Sequence, residues 1–140
     1  MSAIDSVMTA NPASCTADTP IRQVAQLMID NDCGQIPVVD GDSKLVGVVT
    51  DRDIVVRLVA AGKADASAAD AMSAPCRSVA ADSSVQDAVK LMESAKIRRV
   101  PVVDGDGRLA GIVSIADLAL AGKQEATANV VKQVSEPGSK

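Results

Sequence analysis

The 140-residue chain is 47% hydrophobic with a formal net charge of −4, long enough for one compact core and without the basic run that phosphate backbones require. It contains no His, Phe, Tyr or Trp, which removes the imidazole of serine and cysteine triads and the aromatic platforms on which single-stranded nucleic acid stacks. No stretch is long enough for a membrane span, and Met1-Ser2-Ala3-Ile4-Asp5 lacks the charged start and apolar run of a signal peptide, so the cytoplasm is the expected compartment.

The first predicted element is a short extended piece, Ser14-Cys15-Thr16. Thr19 is expected to cap a helix with Pro20 at its first position, where a missing N–H costs nothing. Ile21, Val24, Ala25, Leu27 and Met28 fall on one face of that helix, and Gly34 follows its end. Gln35 to Asp40 reads as a strand of nearly continuous apolar character, suited to burial on both faces. Gly41-Asp42 is a turn signal, and Lys44 to Val49 is the returning strand. A second helix opens at Thr50 and stops at Gly62, and a linker of small and polar residues follows.

From there the plan returns. Met8 to Ile54 and Met72 to Leu118 align without a gap: Ile36-Pro37-Val38-Val39-Asp40-Gly41-Asp42 recurs as Val100-Pro101-Val102-Val103-Asp104-Gly105-Asp106. Likewise Gly47-Val48-Val49-Thr50-x-x-Asp53 recurs as Gly111-Ile112-Val113-Ser114-x-x-Asp117. The second copy is expected to hold a helix capped by Ser83 and running from Ser84 to about Ala95. A strand from Arg99 to Asp104, a turn at Asp106-Gly107 and a return from Leu109 to Val113 come next. A last helix opens at Ser114 and ends near Gly122. Ser67-Ala68-Ala69-Asp70-Ala71-Met72 mimics Ala3-Ile4-Asp5-Ser6-Val7-Met8, so each copy carries a short lead-in. A unit this small buries too little apolar surface to stand alone, which predicts that the copies pack on each other.

The expected organisation is a first repeat over 3–62, a linker over 63–66, a second repeat over 67–122 and a partly disordered tail over 123–140. In that tail Val130, Val131 and Val134 suggest one more weak helix. The fold class is α/β (α+β): two β-α-β-β-α repeats packed with pseudo-two-fold symmetry, leaving two related clefts between them. Cys15, Cys33 and Cys76 form no C-x-x-C and leave an odd one out, as expected of reduced cytosolic thiols; without His, no metal site is expected.

The recurring [ST]-x-x-D at a helix start has two readings. It places a hydroxyl and a carboxylate beside the unpaired N–H groups of a first turn, where partial positive charge attracts an anion. It is also a capping box, which does no more than satisfy the helix start. One residue is compatible with both roles.

Two copies of h-P-V-V-D-G, a short turn and then L-x-G-h-h-[ST]-x-x-D resemble a tandem pair of cystathionine-β-synthase (CBS) domains, or Bateman module, over roughly residues 3 to 122. The resemblance implies a non-catalytic regulatory module that binds an adenosine-containing ligand (AMP, ADP, ATP or S-adenosylmethionine) between the repeats. It implies no obligatory cofactor, pairing into a homodimer, and signalling to a regulated protein, with no nucleic-acid or membrane partner. Asp53 and Asp117 would take the ribose hydroxyls, and Thr50 and Ser114 would donate to phosphate. Arg98 is the first phosphate candidate and Arg99 the second, the bland reading of both being solvated strand-entry charges. Because Gly34 occupies the place of Arg98 in the first repeat, the two clefts should differ in affinity. By family position, Ala13, Cys33 and Ile112 line the Asp117 cleft, while Arg77, Ile97 and Val48 line the Asp53 cleft. The apolar members of these sets are equally at home as plain core. Cys33 would be either an inert thiol or a link between redox state and binding.

An alternative function is a CBS-pair dimer that acts as an interaction protein with degenerate, ligand-free sites. Catalysis through Cys15 or Cys33 lacks a base, an orienting group and a nucleophile motif.

Overall fold

The computed structural model describes residues 3–121. Two antiparallel hairpins form its centre. In the first, β2 (Gln35–Val39) pairs with β3 (Leu45–Thr50), setting Ile36 opposite Val49 and Pro37 opposite Val48. In the second, β5 (Arg99–Val103) pairs with β6 (Leu109–Ser114), setting Val100 opposite Val113 and Pro101 opposite Ile112. Both hairpins carry the same register shift, between Val38 and Val39 and between Val102 and Val103, so the repeat in sequence is a repeat in fine geometry. A strand proline lacks a ladder donor and belongs beside a short neighbour. Accordingly, β2 is flanked on its other side only by a parallel bridge at Cys15, and β5 only by the two-residue strand β4 (Val79–Ala80).

Each hairpin is covered by an amphipathic helix. The helix α1 (Ile21–Asp30) buries Ile21, Val24 and Met28 against Ile36, Val38 and Val49. Its counterpart α4 (Val85–Ala95) buries Ala88 and Met92 against Val100, Val102 and Val113. Two details of capping differ from the sequence reading. Thr19 does not cap α1: its Oγ1 accepts from Thr16 N at 3.0 Å, Pro20 stands at the cap position, and Ile21 N donates to Ala66 O. The cap of α4 is Ser84 rather than Ser83, in a reciprocal box with Asp87.

After β3 comes a helix that is α-helical over Asp51–Asp53 and wider, with i→i+5 bonds, over Ile54–Val59; we label it α2. The short helix α3 (Ala68–Ala71) opens the second copy, and α5 begins at Ile115 and is helical to the last described residue, Ala121. No helix among the described residues is long and apolar enough to cross a membrane. The tail 123–140, with its expected helix near Val130, lies outside the described residues.

The lead-ins are exchanged between copies. Strand β1 (Thr9–Ala10) pairs antiparallel with β6 of the second copy, and Ser73 bridges Val48 of the first. Ile4 is fully buried in the second core, while Ala68 and Ala71 are fully buried in the first. At the hairpin tips the copies pair again, Leu45 N donating to Gly107 O at 3.1 Å and Leu109 N to Ser43 O at 2.9 Å, across the pseudo-two-fold axis.

Candidate functional site

The exchange of lead-ins is what builds the site. By pairing β1 with β6, Thr9 opposite Ile112 and Ala10 opposite Gly111, the chain brings the segment after β1 beside the second copy's hairpin. The end of α1 approaches from the first copy, and a cavity of about 290 Å³ remains between the two repeats. From the second copy it is lined by Arg99, Ile112, Ser114 and Asp117, and from the first by Ala13, Asn31, Asp32, Cys33, Gln35 and Pro37, among others.

Asp117 and Ser114 are fixed by each other. Ser114 N donates to Asp117 Oδ2 at 2.9 Å, and Asp117 N donates to Ser114 Oγ at 3.1 Å. This is a complete capping box, and both residues still line the cavity, so the two readings of the motif coexist here. Ile112 alternates with Ser114 on the same face of β6 and supplies an apolar wall with Ala13, Pro37 and Cys33. The Cys33 Sγ donates to Gln35 O at 3.6 Å. Gln35 Oε1 is buried without a hydrogen-bond partner among the described residues, an acceptor with unmet demand at the cavity wall.

The basic residues are placed differently from their sequence order of merit. Arg98 is exposed and does not line the cavity; its carbonyl accepts from Ile115 N at 2.8 Å, just as Gly34 O accepts from Asp51 N at 2.9 Å in the first copy. Arg99, the first residue of β5, is half-buried and on the wall. It is the cation among the lining residues, whose other charged members are Asp117 and the exposed Asp32.

The residues expected around Asp53 are arranged otherwise. Thr50 and Asp53 form the equivalent capping box, at 3.0 Å in both directions. Val48 is buried and bonded in both directions to Ser73, Ile97 packs into the second core, and Arg77 is exposed. Arg57 stands 3.9 Å from Asp53 Oδ1 and donates at 2.9 Å to the carbonyls of both Ala71 and Met72, tying the second lead-in onto α2. Its counterpart beside Asp117 is Ala121, so the Asp117 side has no such clamp.

Sequence reasoning missed Thr9, Pro12, Asn31, Asp32, Gln35 and Pro37 as lining residues. The asymmetry between Asp32-Cys33-Gly34-Gln35 and Lys96-Ile97-Arg98-Arg99 was the signal that marked two of them. Burial raises the Cys15 thiol to about 11 and pushes Cys76 upward as well. Neither lines this cavity. No group of three or more His, Cys, Asp or Glu among the described residues is placed to hold a metal ion.

Two β-α-β-β-α units meet around an inter-repeat cavity, and comparison with known proteins identifies the architecture. The CBS domain model matches residues 4–60 and again 68–123; the chain belongs to the CBS-domain family and carries the domain twice. YlbB of Bacillus subtilis is 39% identical over 97% of this chain and 93% of its own. Hypoxic response protein 1 of Mycobacterium tuberculosis is 34% identical over 94% of this chain and 92% of its own. Its crystal structure, with two coordinated zinc ions, matches at a TM-score of 0.78 over 84% of this chain and 97% of that one. The CBS-domain protein PAE2072 of Pyrobaculum aerophilum, crystallised with AMP, is 30% identical with a TM-score of 0.75, over 83% of this chain and 89% of that one.

Proposed function

We propose that this protein is a non-catalytic regulatory module that binds an adenosine-containing small molecule in the Asp117 cavity and signals its occupancy to a partner protein. The observation that carries this reading is the gathering of Asp117, Ser114 and Ile112 from one repeat with Ala13 and Cys33 from the other around a single cavity. A ligand there touches both repeats at once, so it biases their packing in proportion to its different affinity for the two arrangements. Asp117 takes the ribose hydroxyls, and the adenine ring lies against Ala13, Cys33, Pro37 and Ile112. Arg99, with Ser114, faces the 5′ substituent. The AMP complex of PAE2072 supports an adenosyl ligand for a fold of this kind. Two such molecules associate through the apolar face of α2 and α5, in the cytoplasm, and the partner reads the shape of that dimer.

On the Asp53 side, Arg57 and the exchanged lead-in favour the second reading, a structural and ligand-free cleft. Calorimetric titration with AMP, ATP and S-adenosylmethionine tests the whole proposal. Binding by at least one of them, lost in Asp117→Asn and retained in Asp53→Asn, is the expected result. The asparagine keeps an oxygen for the capping bond, so loss of binding reports on the ligand rather than on the helix. Heat from none of the three would leave only the interaction protein.

A further inference from the structure

The wall of the Asp117 cavity is rich in acceptors and poor in positive charge. Asp32 and Asp117 bring two carboxylates and Arg99 one cation. None of the three forms an ion pair with another among the described residues, where the pairs are Arg57 with Asp53 and Arg108 with Asp106. Gln35 Oε1 adds a buried acceptor without a partner. Asn31 commits one of its two amide N–H donors elsewhere, to Leu27 O at 2.8 Å. A polyphosphate demands the reverse: several cations or charge-assisted donors converging on its oxygens.

Resting on the adenosyl reading above, we infer that this cavity selects adenosyl compounds whose 5′ substituent is net neutral or cationic and excludes nucleoside di- and triphosphates. A thioether such as 5′-methylthioadenosine brings no charge against Asp32. A sulfonium amino acid such as S-adenosylmethionine brings a carboxylate for Arg99 and cationic groups for Asp32, matching the separated charges of the wall.

The second copy supplies the variant that tests this. Asp32 adopts a left-handed backbone with φ 49, and its counterpart Lys96 does the same with φ 57, so lysine is compatible with that conformation. Calorimetry on the full-length protein with S-adenosylmethionine, 5′-methylthioadenosine, AMP and ATP, each also run on Asp117→Asn, isolates the binding that belongs to this cavity. S-adenosylmethionine and 5′-methylthioadenosine are expected to bind at least about tenfold tighter than ATP, with AMP between, the factor set by one uncompensated like-charge approach. In Asp32→Lys, its fold checked by thermal melting, the affinity of ATP relative to 5′-methylthioadenosine should rise by about tenfold or more. ATP binding as tightly as 5′-methylthioadenosine in an Asp117-dependent way would overturn the selectivity and leave the adenosyl reading standing. No Asp117-dependent binding by any of the four would remove both.

Discussion

At Gly111 an added methyl group would collide with Met8 Sδ and stand 2.7 Å from Thr9 O; at Gly47 it would stand 2.8 Å from Ser73 O. These glycines, which the sequence places inside the returning strands, are where an exchanged lead-in presses on a strand. Gly111→Ala should therefore cost about 1–3 kcal/mol in a urea titration, the usual range for overpacking. Gly41→Ala, where nothing lies within 4 Å, should be neutral and serves as the control. Cys15 adds a pH dependence. Its folded value of about 11 lies above the ordinary 9.0, so in that window the native thiol holds a proton the unfolded chain has released. Its contribution is complete below the ordinary value and is lost as pH rises toward the folded one. Denaturant midpoints measured on either side of the window should fall with rising pH, and Cys15→Ala should flatten the slope. The ranking of Arg98 above Arg99 shows why such side chains were illegible beforehand. Which of two adjacent residues faces a cavity depends on where the strand begins, and a one-residue slip reverses every side chain.

Helices and hairpins were legible as elements, because h-P-V-V runs, paired glycines and helical spacing of Val24 and Met28 are local signals. The exchange of lead-ins was not. In sequence Ile4 and Met8 precede their own copy, and only long-range packing sends them to the other. Ile4 is fully enclosed by Val79, Val100 and Val113 among others, so Ile4→Ala should cost about 2–5 kcal/mol by creating a cavity in a core built by the second copy. A thermal melt checks this, with Ile29→Ala, 72% exposed, as the near-neutral comparison. The same exchange explains two of the missed wall residues: Thr9 and Pro12 join the expected Ala13 on the Asp117 side because β1 belongs to the opposite sheet. The capping boxes were legible as motifs, yet their two environments were not, since Arg57 and Ala121 differ at a position the repeat pattern does not cover.

On the scale of the molecule, Val55, Val56 and Val59 of α2 and Ile115 and Leu120 of α5 are each more than half exposed. Large apolar side chains gathered on two helices that each follow a hairpin mark a surface meant to be covered, and a second copy is the proposed cover. Val56→Asp combined with Leu120→Asp should convert a dimer to a monomer in sedimentation while leaving the thermal transition of each chain nearly unchanged. In the proposed arrangement the inter-repeat cavity and the dimer face are connected through α5, which begins at the Asp117 capping box and exposes Leu120. The repeat and the tandem α+β architecture followed from the sequence. The separated charges of the wall required the folded chain.

The absence of every aromatic side chain makes one measurement unusually direct. The protein is nearly transparent where adenine absorbs, so equilibrium dialysis against 5′-methylthioadenosine can be read from the ultraviolet spectrum of each compartment. An excess of adenine absorbance on the protein side, abolished by Asp117→Asn, is the predicted result. Equal absorbance on both sides, repeated with S-adenosylmethionine and AMP, would contradict the claim that the Asp117 cavity is an adenosyl site.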